Sequence, residues 1–290
     1  MPAAEVGIDD TLVRALLREQ APHLAEMSLE PLSSGWDNVL YRLGDEFIVR
    51  LPRRAMAAPL VEFEQRWLPL LAPRLPLPIP APVLAGVPGC GYPWRWTVAR
   101  WLDGDAALHT PPSDLSAAAT TLGRFLRALH TPAPEDAPAN PFRGIPLVDR
   151  TDRLTQAVDA LRDDIDVDAI SALWARLVVT PRWPGPPLWL HGDLHPGNIV
   201  VHRGVISAVV DWGDITSGDP ATDLSVAWML FPPDQRLVFR AAAGHVDDHT
   251  WARARAWALA LGLAYLSNSA DNPPFGALGQ RVVDAALRDD

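Results

Sequence analysis

The chain has 290 residues, 48% hydrophobic and 21% charged, with a formal net charge of −10. That length allows one large domain or two ordinary ones with a substantial core, and the acidic balance, with no basic stripe, argues against a nucleic-acid partner. A single cysteine, Cys90, excludes an internal disulfide and a cysteine-built zinc site. No lysine occurs, so all 25 basic residues are arginine. Any phosphate anchor is then an arginine, and no Schiff-base lysine is available. Proline, glycine or charge interrupts every apolar run before it reaches membrane-spanning length. The first ten residues have neither the basic nor the apolar region of a secretory signal, so the expected setting is the cytoplasm, with no membrane partner.

Residues 9–21 open on an acidic cap and carry Leu12, Leu16 and Leu17, which predicts a short helix. NVLYRL (38–43) and EFIVRL (46–51) flank Gly44-Asp45, a turn of two-residue hairpin type. Residues 57–75 read as a helix stopped by the proline-rich 76–83, and 92–102 as another strand ending at Asp103-Gly104. The first hundred residues thus predict a small α+β unit with an antiparallel sheet. After a linker at 103–105 the character turns helical: 113–130 has Leu115, Leu122, Phe125, Leu126 and Leu129 at helical spacing. A Pro/Ala-rich loop (131–141), an acidic helical region (148–178), and helices at 220–231, 233–243, 249–268 and 277–288 complete the pattern.

One stretch interrupts the helices. In 190–214, LHGDLHPGNIVVHRGVISAVVDWGD, the strands 199–202 and 205–210 are joined by Arg203-Gly204. A two-residue loop pairs 202 with 205 and so on back to 198 with 209, which puts Asn198 and Asp211 on one face at the open end, roughly 7–8 Å apart. An amide oxygen and a carboxylate at that distance can share one hard cation, and Mg²⁺ takes oxygen ligands that substrate phosphates and water complete. Asp193, on the preceding loop, is held nearby without having to be a ligand.

HGDLHPGN followed by DWGD resembles the catalytic loop and metal-binding segment of the aminoglycoside phosphotransferase family, a protein-kinase-like branch that phosphorylates small molecules. The similarity extends to SSGWDN, FIVRLPR, EFEQRWLPLLAPRLPLPIP, LGRFLRALH and GDPATDLSVAWML. The resemblance implies an α+β, bilobal protein-kinase-like fold. Its small antiparallel-sheet N-terminal lobe is expected over 1–102 and its mostly helical C-terminal lobe over 103–290. It implies ATP or GTP with Mg²⁺ between the lobes, and γ-phosphoryl transfer to the hydroxyl of a small molecule. Asp193 then matches the catalytic aspartate that orients the hydroxyl, and Asn198 and Asp211 match the metal ligands. Arg50 stands where the fold usually has a lysine on the phosphates, a departure a guanidinium tolerates because it offers paired donors. Glu64 matches the acid that pairs with this base, with Glu62 as competitor. Ser33, Ser34 and Gly35 match the nucleotide-covering turn, and the backbones of Arg100 and Leu102 the hinge that holds the base. His191 reads as a brace for the loop, and Asp223 as the carboxylate that braces its backbone. His195 is left between phosphate contact and loop packing.

Two other readings compete. H-x-D-x-H suits a zinc- or iron-dependent hydrolase, although Pro196-Gly197 breaks any strand there. A pseudokinase is the other, disfavoured by intact Asp193, Asn198 and Asp211. For the acceptor, the aspartates at 149, 152, 159, 163, 164, 166 and 168 suit a polycationic aminoglycoside, and an ordinary solvated helix face explains them equally. Trp174, Trp228, Trp251 and Trp257 suit a macrolide pocket or plain core. Metabolite kinases of choline or homoserine type share the family.

Overall fold

The computed structural model describes residues 3–35 and 37–289. The chain forms two compact units: one comprises residues up to Asp103 together with Val209–Gly213, the other Gly104–Ala208 and Asp214 onward.

The first unit begins with α1 (Asp10–Gln20), whose Asp9 cap accepts a hydrogen bond from the Leu12 amide. Five strands follow in one antiparallel sheet, in the order β1-β2-β3-β5-β4: β1 (Leu29–Ser34), β2 (Asn38–Leu43), β3 (Phe47–Pro52), β4 (Pro82–Gly86) and β5 (Trp96–Arg100). Between β3 and β4 runs α2 (Ala58–Leu71). Strand alternation sorts the residues. Tyr41, Leu43, Val49 and Leu51 join Leu16 and Leu17 of α1 in one core. Ile48 and Arg50 point the other way, and α2 packs against β4 and β5.

Two expectations need correction here. The β2–β3 connection is not a two-residue turn: Leu43 pairs with Phe47, so Gly44, Asp45 and Glu46 form the loop, with Gly44 at φ 55°. The strand expected over 92–102 is shorter, and β1 and β4 carry no strand signal. LEPLSS and PVLAG lack alternation, and the proline that opens β4 is tolerated there because β4 is an edge strand.

The second unit contains β6 (Asp105–Ala106), α3 (Leu115–Leu129), α4 (Thr151–Ala160), α5 (Val167–Val178), β7 (Leu188–Leu190), β8 (Ile199–His202), β9 (Val205–Val209), β10 (Thr216–Gly218), α6 (Ala221–Leu224), α7 (Val226–Leu230), α8 (Pro233–Ala242), α9 (Asp248–Ser267) and α10 (Pro273–Arg288). The acidic helical region consists of two helices, because Asp166 caps α5 afresh by accepting from the Ala169 amide. The expected 220–231 helix is likewise split at Ser225. Helix α9 is apolar on nearly every face, from Ala254 to Leu263, as a central helix must be; α4, α5, α6, α7 and α10 pack on it. Strand β8 lies between β6 and β9, and β7 pairs antiparallel with β10. The β8–β9 turn is Arg203-Gly204, both at positive φ (51° and 80°), the signature of a two-residue hairpin. No helix among the described residues is long and apolar enough to cross a membrane.

The segment that returns to the first unit is anchored by Trp212. Its ring is fully buried, its indole N–H donates to the Val209 carbonyl at 3.1 Å, and the Val209 amide donates to the Pro78 carbonyl at 3.1 Å. Trp212→Ala is expected to lower stability by about 3–5 kcal/mol in denaturant unfolding; a change under about 1 kcal/mol would show that the segment is held by its backbone alone.

Candidate active site

In the first unit Arg50 is the hub. Its Nη1 donates to Glu64 Oε1 at 2.6 Å and its Nη2 to Asp211 Oδ1 at 3.1 Å. With its amide oriented by its hydrogen-bonding partners, Asn38 Oδ1 accepts from both Nη2 and Nε at 3.1 Å. The guanidinium is thus held by three side chains from β2, α2 and the Val209–Gly213 segment. Burial opposes its charge, but Glu64 and Asp211 outweigh that and hold the Arg50 pKa above its ordinary value. Burial pushes the Glu64 carboxyl up, and the Arg50 charge opposes it. The partner chosen from the sequence is therefore Glu64, and Glu62 instead faces Arg95 at 4.0 Å. Asp211 sits at φ 61°, a left-handed conformation that aspartate tolerates better than most residues, and its side chain is 59% exposed. Asn38 was recoverable from sequence: it stands opposite Pro52 while Leu40 stands opposite Arg50, so Asn38 and Arg50 are diagonal neighbours on one face.

The other first-unit residues singled out lie at two ends of the sheet. Ser33 and Ser34 pair with Leu40 and Val39 at the end of β1. The Gly35 amide donates to the Asn38 carbonyl at 2.9 Å, and its own carbonyl accepts from Arg53 at 3.0 Å. Trp36 of the same turn lies outside the described residues. Arg100 closes β5 opposite Phe47 and sends its side chain to Glu46 at 3.1 Å. Leu102 follows β5, half-buried.

In the second unit the loop from His191 to His195 is pinned by one carboxylate. Asp223, fully buried at the start of α6, accepts from the His191 and Gly192 amides at 2.8 and 3.0 Å and faces His130 Nε2 at 3.2 Å. This is the bracing role expected of it, whereas Asp219 holds Arg253 by a 2.6 Å ion pair and caps the Ala221 amide. Gly192 adopts φ 87°, and a Cβ there would stand 2.1 Å from the Asp214 carbonyl oxygen, so only glycine fits.

On this fixed loop Asp193 receives three groups. Arg143 Nη2 donates to Oδ1 at 2.8 Å, His195 Nε2 faces Oδ2 at 3.4 Å, and Asn198 Nδ2 donates to the backbone carbonyl at 2.9 Å. Burial raises the Asp193 pKa, but His195 and Arg143 prevail and hold the carboxyl well below the usual range. His195 is half of a local clasp: its Nδ1 accepts from the Gly197 amide at 3.0 Å, which leaves Nε2 as the protonated nitrogen facing Asp193. Its ring packs edge-on against Tyr265 and Phe275. Of its two expected roles, loop packing describes these contacts. His191 is fully buried, with Nδ1 accepting from the Asp193 amide at 3.3 Å. Each imidazole uses its Nδ1 to accept a backbone amide, and among the described residues no cluster of three His, Cys, Asp or Glu side chains is placed to hold a metal. Asn198 is different, because its Oδ1 accepts no hydrogen bond among the described residues.

Residues 28–257 match the model of the phosphotransferase enzyme family. The chain belongs to that family. Its fold is the family's kinase-like α+β arrangement, and the family is one of phosphotransferase enzymes. A relative in sequence is the uncharacterized protein YcbJ of Bacillus subtilis (strain 168), 25% identical over 228 residues, which cover 72% of this chain and 71% of that protein. Similar solved structures include the GDP complex of wild-type aminoglycoside 2'-phosphotransferase-IIIa (TM-score 0.69, 18% identity, 97% of this chain and 99% of that chain). The macrolide 2'-phosphotransferase MphH apoenzyme from Brachybacterium faecium is another (TM-score 0.63, 23% identity, 95% and 99%).

Sequence reasoning missed Arg143. It lies in a proline- and glycine-flanked loop fifty residues before its partner, and no local pattern marks it. For this phosphotransferase Gly192→Ala is expected to cost about 1–3 kcal/mol of stability and, by displacing Asp193, about 10²-fold in turnover; normal activity would mean the loop can relax around a side chain.

Proposed function

We propose that the chain is a small-molecule kinase that transfers the γ-phosphoryl group of ATP or GTP to a substrate hydroxyl. The observation that carries this reading is the fixed pair Asp193–Asn198: a buried-loop carboxylate kept ionised, and an amide oxygen left open by the hydrogen bond its nitrogen makes to Asp193. Asn198 and Asp211 supply the oxygen donors that suit Mg²⁺, and a bound Mg²⁺ would neutralise charge on the nucleotide phosphates. Arg50, already oriented by Glu64 and Asn38, presents a guanidinium to those phosphates in the place usual for lysine.

Asp193 accepts the hydrogen bond of the acceptor hydroxyl and aims its oxygen at phosphorus. The oxygen–phosphorus bond forms as the bond to the nucleoside diphosphate breaks, and the hydroxyl proton leaves through Asp193 to solvent. A carboxylate with a depressed pKa is a weak base. It orients the hydroxyl rather than stripping it, which a loose transition state permits. Positioning and charge neutralisation do most of the work.

Aminoglycosides and macrolides are the acceptors named for the structural neighbours, and both remain within the proposed class, beside choline- or homoserine-like metabolites. The acidic helical region does not single out a polycation. Its aspartates are exposed, Asp166 caps α5, and Asp159 pairs with Arg162 at 3.2 Å, as on a solvated helix face.

Asp193→Ala is expected to lower kcat by about 10²–10⁴-fold while nucleotide still binds, measured as nucleotide turnover beside direct nucleotide titration; a fully active variant sinks the mechanism. Arg50→Ala is expected to raise the nucleotide KM about tenfold or more. Arg50→Lys, which keeps a charge for Glu64, separates that effect from loss of fold, and an unchanged KM in both removes Arg50 from the site.

A further inference from the structure

Buried arginines in the second unit have carboxylate partners, with one exception. Arg253 is paired with Asp219 at 2.6 Å and Arg236 with Asp289 at 2.8 Å. Arg150 is 4% exposed and has no carboxylate within ion-pair distance among the described residues. Among the described residues its guanidinium has only the Phe142 carbonyl, 3.3 Å from Nη1, and the face of Trp257, 5.1 Å from Cζ, while its Nε is buried without a hydrogen bond. A buried, unpaired charge is costly, so its retention calls for a counter-charge that the chain itself does not provide.

Two more guanidiniums gather at the same place. Arg153, exposed, stacks 3.9 Å from the ring centroid of Phe142 and also forms no ion pair among the described residues. Arg143 follows Phe142 in the chain and reaches Asp193, with its Nε buried and unpaired. The Arg143 charge is balanced by Asp193, whereas those of Arg150 and Arg153 have no carboxylate partner among the described residues. Asp149 and Asp152, their chain neighbours, point to solvent. The crowding is felt electrostatically: burial, Arg143 and Arg153 push the Arg150 guanidinium down to about 10.

We propose that Arg150 and Arg153, with Arg143 as the link to Asp193, form an anion subsite, so that the acceptor carries a carboxylate or a phosphate besides its hydroxyl. The proposal rests on the kinase reading and narrows its acceptor. Planar guanidiniums bind either anion through paired hydrogen bonds. A polycation would meet these same charges as repulsion. Phe142 and Arg153 are exposed, while Arg150 is buried.

The test is isothermal titration of the full chain, without nucleotide, with D-glycerate, glycerol 3-phosphate, glycerol and choline, and separately with MgADP. At least one of the two anions is expected to bind, and glycerol and choline are not. Which anion prevails distinguishes a carboxylate from a phosphate. Arg153→Glu, at an exposed position, is expected to weaken the anion about tenfold or more, while Arg162→Ala, an exposed arginine elsewhere on the same segment, leaves it unchanged. Arg150→Met, accepted once its melting curve shows a folded protein, is expected to act like Arg153→Glu. Absence of binding by both anions, preference for choline, or anion binding indifferent to Arg153→Glu overturns the subsite. Failure of MgADP to bind overturns the kinase reading separately, since the anion titrations do not depend on it.

Discussion

The arrangement of the second unit depends on one buried carboxylate. Asp223 has no solvent exposure, yet it accepts two backbone amides, from His191 and Gly192, and stands against His130. A charge in that position is stable only because donors surround it. The consequence is mechanical: the loop cannot turn without breaking charge-assisted hydrogen bonds in a dry environment. Asp193 inherits that rigidity, and Asn198 and His195 are fitted to Asp193 in turn. The left-handed Gly192 belongs to the same constraint, since the amides reach Asp223 only by a backbone path that leaves no room for a Cβ.

The first unit solves a related problem with the opposite sign. Arg50 is a partly buried cation, and Glu64, Asp211 and Asn38 share its donors. Glu64 is bound so tightly to Arg50 that it fixes the guanidinium, while the exposed Asp211 has a looser hold. These three partners fix the orientation of the guanidinium. Arginine in place of lysine fits this layout, because its fork has enough donors to keep three partners.

Much of this was legible from sequence, for a physical reason in each case. The β8–β9 hairpin announces itself by alternation and by Arg203-Gly204. Asp193, Asn198 and Asp211 stand out through the resemblance and their spacing along that hairpin, and Arg50 through the period of β3, while their joint role belongs to the proposed function. Asp223 declares itself through the stretch that follows the hairpin. What escaped notice was set by tertiary context. β1 and β4 become strands because β2 and β5 offer them partners, not through their own propensities. β6, β7 and β10 are two or three residues long and exist only as pairings. Arg143 and Arg150 lie in a loop and a single turn where no periodicity applies, and their importance follows from what surrounds them: a carboxylate for one and, among the described residues, no carboxylate for the other. The acidic residues of 149–168, conspicuous in sequence, turn out to be helix caps and exposed surface, while the arginines among them carry the information.

The proposed reaction is phosphoryl transfer from a nucleotide to a small-molecule hydroxyl. Its most direct test is phosphorus-31 NMR of the protein with ATP or GTP, Mg²⁺ and a mixed pool of hydroxyl-bearing small molecules, followed over time. A new phosphomonoester resonance is expected that grows as the γ-phosphate signal falls and the nucleoside diphosphate appears, and that needs Mg²⁺. Consumption of nucleotide to inorganic phosphate alone, or no consumption with every acceptor, would contradict it.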